Sequence, residues 1–143
     1  MTTTSTSTLG VMVRDEETAP FFDAAAGGRL AVQQCARCGS RQFPQPFTPG
    51  TDRCHSCLSP EVSWEPVSGQ GTLVTWTVLR GRPAADGTPA PATVVGVVEL
   101  AEGPWVHTQL RGVDETALAA GQPFTVAFEQ PEGGEPLPVF YPG

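Results

Sequence analysis

Four cysteines, Cys35, Cys38, Cys54 and Cys57, stand as two C-x-x-C pairs in the stretch CARCGSRQFPQPFTPGTDRCHSC. A C-x-x-C turn sets two thiolates on one side of a metal ion, and a second such turn completes four soft donors at tetrahedral corners. Fifteen residues separate Cys38 from Cys54, the spacing of a two-knuckle zinc ribbon. Two disulfides or four plain thiols are the competing uses of the same residues. The N-terminal MTTTSTSTLG has neither a basic region nor a long apolar one, so no export signal is read and a cytoplasmic setting is expected. Thiols stay reduced there and open to metal. Four protein ligands leave no open position, so the zinc is expected to be structural. Gly39 suits the tight turn after the first pair, whereas Leu58 after the second lacks that freedom. His55, between ligands, is read as a bystander.

The rest of the chain offers little for catalysis. All eight basic residues are arginine, which removes a P-loop lysine and a Schiff-base amine. No G-x-S-x-G or H-E-x-x-H occurs, and GQG at 69–71 lacks the remainder of a dinucleotide fingerprint. His107 falls on a predicted strand, and Glu99 and Glu102 flank a hairpin turn, where they are expected to be solvated. No catalytic residues are assigned, and the chain is not expected to be an enzyme by itself. Its residues argue for binding.

Charge narrows the partner. The net charge is −7, yet residues 29–60 carry four arginines against Asp52, while residues 61–143 carry three against ten acids. An acidic body repels polyanions, so nucleic-acid binding ranks last among the readings. No run approaches the roughly 18 apolar residues of a membrane span.

Short strands and turns must position the cysteines. TAPFFDAAAGG (18–28) predicts a short N-terminal helix, with Thr18 as cap and Gly27 and Gly28 as stop. RLAVQQC predicts a strand leading into the first knuckle, and a short strand follows around Val62–Trp64. GTLVTWTVLR, TVVGVVEL and PWVHTQLRG predict three strands, with Val74, Trp76 and Val78 on one face of the first and Gly96 at a bend or bulge of the second. VDETALAAG predicts a short helix capped by Asp114 and stopped by Gly121. PFTVAFEQ and LPVFY supply two more strands, with Phe124, Val126 and Phe128 inward. Three strands, a short helix and two strands match a five-stranded OB-type barrel. The fold class expected is therefore mainly β: a disordered tail at 1–14, a helix and zinc ribbon at 15–66, and an OB-fold at 67–143.

These motifs carry a resemblance. PFFDAAAGGRLAVQQCARCGSRQFP, CHSC, VSGQGTLVTWTVL, VGVVEL, AAGQPFTVAFE and LPVFYP together resemble the OB-fold, acyl-CoA-associated family with an N-terminal rubredoxin-like zinc ribbon. The likeness runs from about residue 15 to residue 142. It departs between the knuckles, where this chain has the longer FPQPFTPGTDR in place of a shorter Pro-Pro-Arg segment. The resemblance implies a partner: a thiolase-like or aldolase subunit acting on acyl-CoA, including steroid side-chain CoA thioesters, or a MaoC-like enoyl-CoA hydratase. Catalytic groups would then belong to that partner.

Two bets on surface residues follow. Phe21 and Phe22 either anchor the partner or pack on this chain's own barrel. Arg80 and Arg82, at the start of the Pro-rich loop 80–93, would grip CoA phosphates if the chain binds acyl-CoA by itself, or else are simply exposed loop cations.

Overall fold

Alternating apolar residues and closely spaced turns favour strands. The computed structural model describes residues 9–43 and 53–143 and has eight strands with one helix among them. Helix α1 (Ala19–Ala26) starts with Pro20 in its first turn and is followed by Gly28 at φ +76°. Thr18 does not cap it by its side chain. Its hydroxyl instead accepts from the Asp15 N–H at 3.0 Å while Asp15 Oδ1 accepts from the Thr18 N–H at 2.8 Å, closing a turn before the helix.

Strands β1 (Leu30–Cys35), β2 (Arg41–Gln42) and β3 (Val62–Val67) form an antiparallel sheet in the order β2-β1-β3. β1 pairs along its whole length with β3, from Leu30 opposite Val67 to Cys35 opposite Val62. This sheet carries the cysteine pairs. Its root is not separate from the rest: Leu30 and Val32 are buried in one cluster with Leu73, Val94, Val98, Leu110 and Phe124.

The second sheet contains β4 (Gln70–Arg80), β5 (Ala92–Leu100), β6 (Trp105–Gln109), β7 (Pro123–Glu129) and β8 (Leu137–Pro142), ordered β6-β5-β4-β7-β8 with antiparallel neighbours. It curls until its two outer strands meet. Leu110, just beyond β6, bridges Phe140 in parallel, and the Arg111 N–H donates to the Phe140 carbonyl at 2.8 Å. That order and closure are those of the OB-fold. Arg111, with only 6% of its surface exposed, forks onto Glu129 at 2.9 Å through both Nε and Nη2, tying the closure to β7.

One register shift corrects the reading of β4. Simple alternation puts Leu73 and Trp76 on opposite faces. In the structure Leu73 faces Val98 and Thr75 faces Val97, so Val74 is the extra residue of a bulge. The bulge lets Leu73, Trp76 and Val78 all turn towards the core, while Thr75, Thr77 and Leu79 stay exposed. The bend thus lies in β4, beside Gly96, whose missing Cβ leaves room for Leu110 Cδ1 and the Thr75 carbonyl at 3.0 Å.

The helix expected over 113–121 does not form. Asp114 accepts from the Thr116 N–H at 3.0 Å and from its hydroxyl at 2.7 Å, closing a local turn, and the Gly121 N–H donates across to the Leu73 carbonyl at 2.8 Å. Asp114 favours a turn over a helix start in this way. Of the tail expected at 1–14, residues 1–8 lie outside the described residues. Further on, the Glu135 N–H donates to the Met12 carbonyl at 3.0 Å, and Arg14 pairs with Glu135 and Asp23.

Candidate metal centre

The two cysteine pairs sit on two knuckles built alike. In the first, the Gly39 N–H donates to the Cys35 carbonyl at 3.0 Å and the Cys35 N–H to the Ser40 carbonyl at 2.9 Å. In the second, Leu58 N–H to Cys54 carbonyl and Cys54 N–H to Ser59 carbonyl repeat the pattern at 2.9 Å each. Each turn aims backbone N–H groups at its first sulfur: Arg37 and Cys38 at Cys35 Sγ (3.3 and 3.4 Å), and Ser56 at Cys54 Sγ (3.4 Å). Residues 44–52, most of the long segment between the knuckles, lie outside the described residues.

The knuckles face each other, and the four Sγ atoms lie within 4.8 Å of one another. Cys35 and Cys57 Sγ are 3.7 Å apart, and Cys38 and Cys54 Sγ 3.4 Å. A tetrahedral ion with metal–sulfur bonds of about 2.3 Å sets its ligands about 3.8 Å apart, so the cluster is sized for one ion. All four cysteines are unbridged, with Cys35 and Cys54 buried and Cys38 and Cys57 at the surface.

The donor set is also unbalanced without a cation. Ser40, through its hydroxyl 3.3 Å from Cys38 Sγ and its backbone, pulls the Cys38 thiol down to about 6. N–H groups, that of Cys38 foremost, lower Cys35. Cys57 is pushed up to about 11: the Ser59 N–H would lower it, but partial desolvation and the three neighbouring sulfurs outweigh that. Four thiolates this close repel one another, and a divalent cation removes the conflict. The four cysteines can therefore hold a metal ion, and their number leaves it no vacant coordination site.

An amide network that sequence reasoning missed steadies the second knuckle. Gln42, on β2, donates through Nε2 to Gln33 Oε1 at 3.0 Å and to the Arg53 carbonyl at 2.8 Å, and accepts from the His55 N–H at 2.8 Å. Gln33 and Gln42 are buried, so each unmade bond would carry a desolvation penalty. Nothing in RLAVQQC or RQF marks those glutamines as structural.

The other expected site residues stand apart from the cysteines. Phe22 is 3% exposed, and Phe21 packs edge-on against Phe22 and Phe43, with centroids at 5.3 and 5.9 Å, and beside Trp64 at 5.9 Å. Phe22 is thus buried in this chain's own core, and Phe21, half-buried, packs against the same core. Arg80 donates through Nη2 to both Glu115 oxygens at 2.8 and 2.9 Å, so it is not a free phosphate clamp. Arg82 is exposed. His107 is exposed on β6 opposite Val97. Glu99 accepts from Trp105 Nε1 at 2.7 Å, and Glu102 from the Ser68 N–H at 2.9 Å. No helix is long and apolar enough to cross a membrane among the described residues.

Comparisons with known proteins agree with this architecture. Residues 64–129 match the family model described as the ChsH2 C-terminal OB-fold domain. The chain is 31% identical over 132 residues to a probable enoyl-CoA hydratase alpha subunit from Thermomonospora curvata, a match covering 90% of this chain and 38% of that protein. It thus spans well under half of that relative's length. Among solved structures it is similar to the Ltp2-ChsH2(DUF35) aldolase, with TM-score 0.72 and 27% identity over 92% of this chain and 98% of that one. A DUF35-family protein of unknown function from Sulfolobus solfataricus shares the fold at TM-score 0.55 and 12% identity, over 90% and 89% of the two chains.

Proposed function

Because this chain belongs to the ChsH2/DUF35 family of OB-fold proteins, we propose that it is a non-catalytic subunit of an acyl-CoA-processing complex. Its partner would be a thiolase-superfamily enzyme, a thiolase or retro-aldolase, working on CoA thioesters such as those of steroid side chains. The observation that carries this reading is the near end-to-end likeness to a chain of an aldolase named for two components, Ltp2 and ChsH2(DUF35). The cysteine cluster supports it, because the residues best placed for chemistry have the donor set of a closed structural site.

We assign zinc to Cys35, Cys38, Cys54 and Cys57. When bound, it would supply cross-linking and no substrate activation. The helix and ribbon of 15–66 then form the metal-stiffened part, the barrel of 67–143 forms the body, and the setting is the cytoplasm. A second reading, a MaoC-like enoyl-CoA hydratase as partner, is favoured by the name of the Thermomonospora curvata relative. A lone acyl-CoA binder gains less, because Arg80 is tied to Glu115.

Co-expression with a thiolase-like protein encoded beside this chain, followed by size-exclusion chromatography, tests the first reading. A single co-eluting complex is expected. Separate elution, together with full activity of the partner alone, contradicts it. Co-elution with a hydratase instead selects the second.

A further inference from the structure

The second knuckle holds a residue that the cysteine site does not explain. Leu58 closes it at φ +64°, the only non-glycine residue in the left-handed region among those described, where the first knuckle uses Gly39 at φ +78°. A side chain with a Cβ costs about 1–2 kcal/mol there. Its backbone does useful work, donating to the Cys54 carbonyl at 2.9 Å and accepting from Arg53 Nη1 at 3.2 Å, but glycine would make both bonds equally well. Core packing does not require leucine either, since Leu58 is 68% exposed. An apolar side chain is thus kept in a strained position and held out to solvent.

The knuckles carry more basic than acidic side chains, the reverse of the rest of the chain. Arg37 and Arg53 are exposed and in no ion pair among the described residues, while Glu61, whose carbonyl accepts from the Ala36 N–H at 2.8 Å, adds one exposed carboxylate beside them. Arg37 and Arg53 lie on or beside the knuckles themselves. An apolar residue flanked by unpaired guanidinium groups on a rigid mount has the make-up of an interface hot spot.

We propose that Leu58 is the apolar anchor of a docking surface for the partner subunit, seated in an apolar recess of that subunit rimmed by carboxylates that meet Arg37 and Arg53. This rests on the reading of the chain as an accessory subunit. It predicts opposite signs for one substitution: Leu58→Gly relieves strain in the free chain but removes the anchor.

The test uses the full chain, loaded with zinc, and the purified thiolase-like partner subunit. Leu58→Gly should raise the melting temperature of the free chain while weakening the complex about tenfold, and Leu58→Asp should weaken it about 30-fold or more. Arg37→Glu should weaken it and flatten its salt dependence. If the wild-type chain forms no complex, the accessory-subunit reading falls and the docking surface with it. If the complex forms and all three variants bind like wild type, the docking surface alone is refuted. An unchanged complex with Arg37→Glu, together with lost binding of free coenzyme A, would show that the basic island serves an anion and would also refute it.

Discussion

Removing the metal should divide the molecule in two. Beyond Val32, the ribbon buries chiefly polar groups: Gln33, Gln42 and Ser59, with the two inner cysteines. Among the described residues no buried apolar side chain there replaces a lost metal, and apparent zinc-binding energies in such sites are on the order of 10–16 kcal/mol at neutral pH. Leu30 and Val32 instead belong to the barrel's core cluster. A chelator should therefore free the knuckles and spare both the start of β1 and the barrel. With the metal bound, opening the knuckles should cost at least about 5 kcal/mol, and without it about 0–1, so their amide exchange should accelerate about a thousandfold. Hydrogen exchange read residue by residue provides the assay. The Gly39, Cys54 and Leu58 amides should lose protection, while that of Leu73, bonded to the Gln122 carbonyl at 2.9 Å, should keep it. Loss of barrel and knuckle protection together would refute this division, as would no loss at all.

Other consequences are separately measurable. Zinc binding near pH 7.5 should release fewer than four protons per chain, because Cys38 at about 6 is already ionised while Cys57 at about 11 is not; calorimetry in buffers of different ionisation enthalpy counts them. Gly71→Ala should cost about 2–3 kcal/mol, because its Cβ would strike the Glu99 carbonyl and come within 2.7 Å of Val98 Cγ1; thermal melting reads the loss. Arg80→Ala should change stability by no more than about 0.5 kcal/mol, its pair with Glu115 being exposed, and should leave complex activity intact. The Arg14 side chain holds the Glu135 carboxyl below its usual 4.5, so that contact stabilises fully above pH 4.5 and is lost as pH falls through the lowered value; NMR shifts of residues 11–14 should follow it.

What the sequence disclosed was local. The hairpin of TVVGVVEL and PWVHTQLRG was marked by an apolar run and a tight turn, and the cysteine spacing carried its own geometry. What it hid was set by distant contacts. The barrel closes through Leu110 and Phe140, a pairing that no local pattern encodes. The bulge at Val74 reverses the parity of β4, because Leu73 and Trp76 both gain by burial. Asp114 satisfied its neighbours by an Asx-type turn in place of a helix. Leu58 takes a backbone shape that its side chain opposes, because the knuckle's hydrogen bonds require it. The short helix carrying Phe21 and Phe22 needs a surface, and the chain supplies one to the buried Phe22 and the half-buried Phe21 through contacts distant in sequence.

Thioester turnover should be measured for this chain alone, for the proposed thiolase-like partner alone and for the two reconstituted. No turnover by this chain, impaired turnover by the partner and full activity only on combination are expected if it is an accessory subunit. Brisk turnover by this chain alone, or a partner equally active without it, would overturn that role.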